Sequence, residues 1–428
     1  MFVCVVDLGS FSCRALCLAW EEPRYRILGL VEIPSSGVVQ GEVVNTEKAK
    51  RTLFEALRLL ESESQIAIRE MSLVYSGVTL GYLNSLGVTG TTPMRSHNED
   101  SASHRVTEDD INQVLSVAAK QSISADFERL HEIPRCYKLD GKIMRREDIL
   151  GSNGIRLEVE VHIITCLKEA VDNLIEISRN KPIEIVHEIV HSSIAASYIS
   201  LTRDELEQGC LLIDMGYGST SFQYSFEGQP LITESLRLAG SQVTSDIAKI
   251  FEVSLDIAEQ LKLERGICWP AFVPKEEKVI IPGGANSMAK EITLFELCEV
   301  LNARVEEIFE LILGRLQSCR VHQEYIQSVV LIGGTVLLSG MSELAEEIFG
   351  CPARLGLPDE SLFMGETKAM EAEWKGGGLP ANGRSPQYTS LFGLALYWLE
   401  EERSRQHVSK PPQRRGGGFL DWLKRKLL

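Results

Sequence analysis

Residues 211–224 read LLIDMGYGSTSFQY, and this stretch decides the fold class of the chain. An apolar run ends in an aspartate, passes through two glycines and two hydroxyl residues, and then becomes apolar again, which predicts strand, turn, strand. Glycines let backbone N–H groups approach an anion, hydroxyls can donate to it, and an aspartate at the strand end can hold a hydrated metal. We therefore expect a hairpin that binds phosphate through Asp214, Gly216, Gly218, Ser219 and Thr220.

The same pattern opens the chain, where residues 2–20 read FVCVVDLGSFSCRALCLAW. One such motif is more often an ordinary hairpin turn, but two copies about two hundred residues apart indicate a duplicated architecture. We expect a nucleotide to be clamped between the two halves. The residues of the first copy that would face it are Asp7, Gly9, Ser10 and Ser12.

Length and composition limit the class of protein. A chain of 428 residues is long enough for two or more domains. No apolar run reaches the roughly 18 residues that a membrane-spanning helix needs, and we expect no signal peptide because the first residues read as a strand. The ten cysteines are scattered without a Cys-x-x-Cys pair, so we expect reduced cytosolic thiols.

The charge is distributed unevenly along the chain. The net charge is −16, which argues against nucleic acid as a partner. From Arg403 onward the tail carries +7, leaving −23 on the body. A basic end on an acidic body predicts a separate target for that end.

Residues 403–418 are polar and rich in Pro and Gly, which predicts a disordered linker. Residues 419–428, FLDWLKRKLL, have the spacing of a short amphipathic helix about 15 Å long, half the thickness of a bilayer core. The pattern favours a helix lying on an anionic membrane over one docked on a protein groove or on the body. The membrane residues would be Phe419, Leu420, Trp422, Leu423, Lys424, Arg425 and Leu427.

The first half reads β-β-β-α-β, with Asn45 or Thr46 capping the helix. Residues 88–105 are polar and glycine-bearing, which predicts an exposed loop, and Thr107 opens a second helix. An alternating strand follows at residues 156–165. We interpret residues 84–160 as a small module inserted in the first half.

His187, Glu188 and His191 match the HExxH zinc-protease pattern formally. Their surroundings are β-branched and extended, and residues four apart on a strand lie about 13 Å from one another. Two histidines so far apart cannot share one ion, so we favour structural histidines.

In the second half, a strand runs through Gly240 into a helix whose N-terminus could face the nucleotide. Residues 328–341 predict a strand, the pair Gly333 and Gly334, a loop and a helix. A glycine pair allows a planar base to lie against the backbone, although a plain strand-to-helix turn would have the same pattern.

The two aspartate-glycine hairpins and the glycine pair resemble the phosphate-1, phosphate-2 and adenosine motifs of the actin, Hsp70 and sugar-kinase superfamily. More narrowly, four further stretches and the terminal amphipathic helix resemble the FtsA family of bacterial cell-division proteins. These stretches are VVN (43–45), GIRLEVEVHIIT (154–165), VTSDI (243–247) and NARVEEIF (302–309). The resemblance covers essentially the whole chain.

The resemblance implies an α/β, actin-like duplicated ATPase fold with two lobes, an inserted subdomain and a C-terminal amphipathic helix. Its first lobe would comprise residues 1–83 and 161–195, the insert 84–160, the second lobe 196–245 and 310–400, and a further subdomain 246–309. The family's ligands would be ATP and Mg²⁺, with Asp7 and Asp214 facing the hydrated metal. Ribose and adenine would be surrounded by Gly240, Glu259, Lys262, Gly333, Gly334 and Thr335.

The implied function is a scaffold that polymerises at the cytoplasmic face of the inner membrane at midcell and anchors the FtsZ ring. Its partners would be the FtsZ C-terminal peptide, further copies of itself, the anionic membrane surface and other divisome membrane proteins. A pilus-assembly adaptor of the same fold and a sugar-kinase-type phosphotransferase are the alternatives.

Three positions depart from the family pattern. The second phosphate turn usually reads GGGTTD, whereas residues 216–221 read GYGSTS, so Tyr217 replaces a glycine and Ser221 an acid. Thr335 stands where the adenosine motif has a third glycine. No residue marks itself as a general base. We expect nucleotide binding with at most a weak ATPase activity.

Overall fold

The computed structural model describes residues 1–91, 104–179, 183, 185–274, 276–281, 289–358, 362–363 and 385–407. The predicted membrane helix at 419–428 and most of the predicted linker lie outside these residues. Within the described part, no helix is both long and apolar enough to cross a membrane.

The first half of the chain contains eleven strands and five α-helices among its described residues. The strands are β1 (Phe2–Leu8), β2 (Ser12–Glu21), β3 (Arg24–Pro34), β4 (Val38–Val39), β5 (Glu42–Val43), β6 (Glu70–Tyr75), β7 (Leu80–Gly90), β8 (Phe127–Leu139), β9 (Lys142–Met144), β10 (Arg156–Leu167) and β11 (Ile185–His191). The helices are α1 (Thr46–Ser64), α2 (Glu108–Ala119), α3 (Arg146–Ile149), α4 (Lys168–Ser178) and α5 (Ser192–Ser200).

The second half adds seven strands and six α-helices in the part of it that is described. Its strands are β12 (Cys210–Met215), β13 (Thr220–Phe226), β14 (Gln229–Leu236), β15 (Lys278–Ile281), β16 (Lys290–Thr293), β17 (Ser328–Ile332) and β18 (Ala353–Leu355). Its helices are α6 (Arg203–Gln208), α7 (Gly240–Ile250), α8 (Leu255–Arg265), α9 (Leu294–Ser318), α10 (Met341–Phe349) and α11 (Thr389–His407).

Two five-stranded sheets repeat one topology. The first has the order β11-β6-β1-β2-β3, and the second has the order β18-β17-β12-β13-β14. In each sheet the first three strands run parallel, and the last two extend the sheet as antiparallel hairpins. The duplicated architecture expected from the two motifs is therefore present, and each motif joins the central strand of its sheet to the next one.

Local sequence signals account for the starts of helices α1 and α2. The Asn45 side chain caps α1 by accepting from the Lys48 amide at 3.0 Å. Thr107 and Asp110 form a reciprocal capping box on α2. Such caps satisfy amides that the first helical turn leaves without partners. Both helix starts predicted from these residues are confirmed.

The inserted module is a four-stranded sheet of order β7-β10-β8-β9 covered by α2. Its apolar core contains Val114 from the helix and Val159 from β10, both fully buried. Residues 88–90 belong to strand β7, so the prediction of a loop from 88 to 105 was wrong at its start. Residues 92–103 of that segment lie outside the described part of the chain.

Helix α11 packs against the first sheet, although we expected residues up to 400 to belong to the second lobe. Residues 389–399 of this helix are buried on every side, Phe392 and Tyr397 among them, as expected of a helical segment that is apolar all round. It contacts β1 and β2, and it crosses α5 so closely that a Cβ on Gly393 would lie 1.9 Å from the Ala195 carbonyl oxygen. The chain therefore returns to the first lobe after leaving the second.

The end of α11 corrects a second boundary. The helix continues to His407, so the first five residues of the expected linker, 403–407, are helical. The Arg403 guanidinium carbon lies 3.7 Å from the ring centroid of Trp20, a cation–π contact with strand β2. This contact fixes the start of the basic tail beside the first lobe.

Candidate functional site

The two motif turns have the same backbone geometry. The Gly9 amide donates to the Ser12 carbonyl at 3.1 Å, and the Gly216 amide donates to the Ser219 carbonyl at 2.9 Å. Each turn follows the end of a buried central strand, β1 or β12. The two motifs that repeat in the sequence therefore also form equivalent backbone hydrogen bonds.

Both turns line one cavity of about 390 Å³ between the lobes. The structure thus brings the two halves of the predicted site together. Of the residues predicted to contact nucleotide or metal, the following line the cavity: Asp7, Gly9, Ser10, Ser12, Asp214, Gly216, Gly218, Ser219, Glu259, Lys262, Gly333, Gly334 and Thr335.

Thr220 and Gly240 are not among the lining residues. The Thr220 hydroxyl is fully buried and donates to the Leu238 carbonyl at 2.7 Å, so it is turned away from the cavity. The Gly240 amide donates to the Gly216 carbonyl, and a Cβ there would lie 2.4 Å from the Thr335 hydroxyl oxygen. Both residues support the second turn from behind, and their contact with ligand stays a prediction.

Two aspartates line the cavity, Asp7 buried and Asp214 half-buried. Burial raises the pKa of Asp7 to about 6; Arg14 opposes this shift, and the charges of Asp214 and Glu32 add to it. Burial also raises the pKa of Asp214, and the Ser192 hydroxyl and the charge of Arg14 oppose this shift. Two neighbouring carboxylates with little exposure to water favour the approach of a cation.

A charged network under the first turn was not found from the sequence. Arg14, the ladder partner of Asp7, lies 3.6 Å from that carboxylate and donates through Nε to Glu32 at 2.9 Å. Glu32 also accepts from the Ser12 hydroxyl at 2.6 Å and from the Tyr388 hydroxyl at 2.7 Å. Ser12 therefore lines the cavity with its hydroxyl proton directed at Glu32. The alternation of β2 places Arg14 on the cavity side, but no local pattern marks Glu32 or Tyr388.

Lys262 is a buried cation at the back of the cavity, only 5% exposed. Its ammonium donates to Glu259 at 2.7 Å, to the Thr244 hydroxyl at 2.9 Å and to the Gly240 carbonyl at 3.1 Å. Burial lowers its pKa, and the charge of Glu259 and its hydrogen bond oppose that shift. Glu259 and Lys262, which the family resemblance placed here, thus form one hydrogen-bonded pair in the cavity wall.

The two glycines of the 333–334 pair have different surroundings. Gly333 has a φ of +94°, and a Cβ there would lie 2.5 Å from the Met215 carbonyl oxygen, so the fold itself requires glycine. Gly334 has helical backbone angles, and the nearest atoms to a Cβ there are 3.8 Å away, on Gln387. Its α-carbon faces open cavity, which a larger side chain would fill.

The lobes also touch directly at the turns. The Ser219 hydroxyl of the second lobe donates to the Ser76 carbonyl of the first at 2.9 Å. Within the first lobe, the Ser10 hydroxyl accepts from the Gly41 amide at 2.8 Å. A Cβ on Gly218 would lie 2.7 Å from the Ser10 hydroxyl oxygen. The two turns therefore close upon each other from opposite sides of the cavity.

The HExxH match forms no metal site. His187 and His191 lie on strand β11, where Nε2 of His187 is 2.9 Å from the Glu70 carboxylate and Nδ1 of His191 is 2.8 Å from the Ser193 hydroxyl. Among the described residues there is no cluster of three or more potential metal ligands of the His, Cys, Asp or Glu type. The strand interpretation of this motif is confirmed.

Comparison with known proteins decides the family. The family model "Cell division protein FtsA" matches residues 211–393, and the model "SHS2 domain inserted in FTSA" matches residues 82–165. The cell division protein FtsA of Borreliella burgdorferi is 32% identical over 400 residues, covering 93% of this chain and 91% of the relative. The chain belongs to the FtsA family of cell division proteins. The FtsA of Pseudomonas aeruginosa is 30% identical and covers 95% and 91% of the two chains.

Solved structures show the fold shared by this family member. A PilM-PilN type IV pilus biogenesis complex matches with a TM-score of 0.63 at 17% identity, covering 93% of this chain and 98% of the other. MreB5 of Spiroplasma citri, bound to ADP, matches with a TM-score of 0.53 at 12% identity, covering 95% and 99%. The predicted actin-like fold with two lobes and an inserted module is thereby confirmed.

Proposed function

We propose that this chain is an ATP-binding scaffold of cell division that polymerises on the cytoplasmic face of the inner membrane at midcell. It anchors the FtsZ ring by binding the FtsZ C-terminal peptide and recruits other divisome membrane proteins. The observation that carries the proposal is the pair of hairpin turns, one from each lobe, that close on a single cavity. Membership of the FtsA family supports the cell-division role.

The cavity fits a magnesium nucleotide. Asp7 Oδ1 is buried and has no hydrogen-bond partner among the described residues, as expected of an oxygen that faces a hydrated cation. The two glycine turns would hold the phosphates, and the wall containing Gly334, Leu263 and Leu337 would hold the base. The MreB5 neighbour, whose structure contains ADP, has the same fold.

Little in the cavity supports rapid hydrolysis. Ser221 stands where the family usually has an acid, and its hydroxyl is 2.9 Å from that of Ser235. The cavity carboxylates Asp7 and Glu32 are held at the floor beside Arg14. We expect an ATPase that is weak or inactive, which suits a scaffold whose nucleotide stabilises one arrangement of the lobes.

The nucleotide site is tested by Gly334→Asp. Because a side chain at this position meets cavity instead of protein, the variant should fold normally while its carboxylate occupies the space proposed for the base. We expect the rise in melting temperature caused by ATP and Mg²⁺ in the wild type to be lost. Gly314→Asp, on the exposed face of α9, adds the same charge far from the cavity and should keep the ATP-dependent rise. An unchanged rise in the Gly334→Asp protein would contradict the proposed site.

The membrane role depends on residues 419–428 and is tested with liposomes. We expect deletion of these residues or Trp422→Glu to release the full-length protein from vesicles rich in phosphatidylglycerol. Ser409→Glu introduces the same charge outside the amphipathic segment and should leave co-sedimentation nearly unchanged. Neutral phosphatidylcholine vesicles should bind the wild type weakly. Equal sedimentation of the deletion variant and the wild type would refute membrane anchoring by this segment.

The scaffold role is tested by adding FtsZ. We expect the full chain on anionic vesicles to bring FtsZ into the pellet, and FtsZ without its C-terminal peptide to remain in the supernatant. A pilus-assembly adaptor shares the fold only at 17% identity, whereas near-full-length relatives at 30% identity and above are cell division proteins. Steady ADP production stimulated by a small polyol would instead favour a phosphotransferase.

A further inference from the structure

Two aromatic rings meet across the opening between the lobes. Phe11 comes from the first turn and Tyr217 from the second, and their ring centroids lie 5.2 Å apart at an interplanar angle of 45°. This separation is within the range in which aromatic pairs attract each other. Both residues line the nucleotide cavity. The pair is therefore an apolar contact that joins the lobes at the cavity.

Each ring is fixed to its own lobe. The Tyr217 carbonyl accepts from the Ser241 amide at 2.7 Å, and the Lys262 ammonium lies 5.1 Å from the centroid of the tyrosine ring. The Phe11 carbonyl accepts from the Ser35 amide at 2.9 Å. Because neither backbone is free to follow the opposite lobe, any opening of the cavity at this point must separate the rings.

The neighbouring cross-lobe contacts are small and polar. Ser219 donates to the Ser76 carbonyl, and Gly218 lies against Ser10 without a side chain of its own. Such partly exposed hydrogen bonds contribute little net free energy, because water can replace them when the lobes part. Water cannot replace the contact between the aromatic rings in this way, because separating the rings would expose both of them to water.

We propose that Phe11 and Tyr217 form an aromatic clasp that holds the cavity closed and sets the rate of nucleotide exchange. The inference rests on the proposed nucleotide site and adds to it a mechanism of regulation. It also gives a role to Tyr217, which stands where the family pattern has a glycine.

The clasp has a kinetic signature that a ligand-stacking residue would lack. The two rings contact each other, so their attraction opposes opening in the same way for a nucleotide entering and for one leaving. Weakening the clasp therefore accelerates association and dissociation by a similar factor and leaves the dissociation constant nearly unchanged. A ring that stacked on the base would instead change dissociation and affinity together.

The experiment uses the full-length chain, a fluorescent methylanthraniloyl derivative of ATP with Mg²⁺, and stopped-flow measurement of both rates. We expect Phe11→Ala and Tyr217→Ala each to raise both rates about fivefold, an effect typical of one aromatic pair. The double variant should be no faster than either single variant, because each substitution already removes the contact. Tyr217→Phe should retain slow exchange, and Phe226→Ala, an exposed ring on β13, serves as the control.

Unchanged rates in the single variants would overturn the clasp while leaving the nucleotide site intact. So would a change in dissociation alone with a matching loss of affinity, or independent effects that multiply in the double variant. A wild-type protein that binds no nucleotide would overturn the proposed site, and the clasp with it.

Discussion

The turn after β1 and the turn after β12 have the same backbone hydrogen bond, but the residue that faces the aspartate is charged only in the first. In each, a glycine amide donates to the carbonyl three residues on, and the strand before it is buried at the centre of a five-stranded sheet. In the ladder of the first turn Asp7 faces Arg14, whereas in the second Asp214 faces Ser221. The duplicated halves have thus kept their backbone geometry, while the ladder partner of the aspartate is charged in the first and neutral in the second.

The asymmetry has a structural cause. Arg14 is held by Glu32 from β3, and Glu32 is held by Tyr388 just before α11. Ser221, at the equivalent ladder position of the second lobe, pairs with the hydroxyl of Ser235 on β14. Helix α11 packs on the first lobe, and this packing supplies the Tyr388 hydroxyl to the first lobe alone.

The largest difference between the lobes should appear when the two ladder partners are truncated. Arg14→Ala leaves the buried Asp7 and the half-buried Glu32 without their cation, and we expect it to reduce the free energy of unfolding by about 3 kcal/mol. Ser221→Ala loses one hydroxyl–hydroxyl contact and should cost about 1 kcal/mol or less. Urea denaturation of the nucleotide-free proteins measures both. Equal losses would show that the charge difference between the two ladders does not affect the free energy of unfolding.

A smaller effect is expected from the protonation of Asp7. Its native pKa of about 6 is above the ordinary value of 3.8, so the native state retains a proton that the unfolded chain loses. The contribution of this group to stability is therefore complete below about pH 4 and is lost as the pH rises through about 6. At pH 7 we expect Asp7→Asn to be more stable than the nucleotide-free wild type by roughly 2 kcal/mol.

The measurement for Asp7 is the difference in the free energy of unfolding between variant and wild type across pH 4 to 7. Taking the difference removes the contribution of titrating groups that do not interact with Asp7. Asp214 and Glu32, whose charges help to raise the pKa of Asp7, still contribute to it. A difference that stays constant with pH would contradict the raised pKa.

The smallest effects should be equal in the two lobes. A Cβ would lie 3.1 Å from the Ser12 carbonyl oxygen at Gly9 and 3.2 Å from the Ser219 carbonyl oxygen at Gly216. Each neighbour would have to shift slightly, so we expect Gly9→Ala and Gly216→Ala each to cost roughly 1 kcal/mol in thermal or urea unfolding. Losses differing by more than about 1 kcal/mol would show that the two turns tolerate an added Cβ unequally, although their hydrogen bonds match.

Local signals predicted much of the fold. Asn45 and Thr107 mark helix starts because their side chains satisfy amides a few residues away. The HExxH segment was placed on a strand because β-branched residues flank its histidines. In these cases the residues that determine the structure are close in sequence.

Other features could not be predicted because their partners are distant in sequence. Thr220 resembles a phosphate ligand by position, but its hydroxyl donates to the carbonyl of Leu238, 18 residues further along the chain. Glu32 and Tyr388 are separated by 356 residues and meet only when α11 returns to the first sheet. Phe11 and Tyr217 likewise become neighbours only after the lobes close.

The sequence by itself determined the two strand-turn-strand motifs, their duplication and the family, since each depends on residue types at short, regular spacing. Tertiary structure alone decided which hydroxyls face the cavity, which lobe receives α11 and which side chains cross between the lobes. The physical reason is that the direction of a buried side chain depends on the partner that satisfies it. For Thr220, Glu32 and Tyr217, that partner lies on another element of the fold.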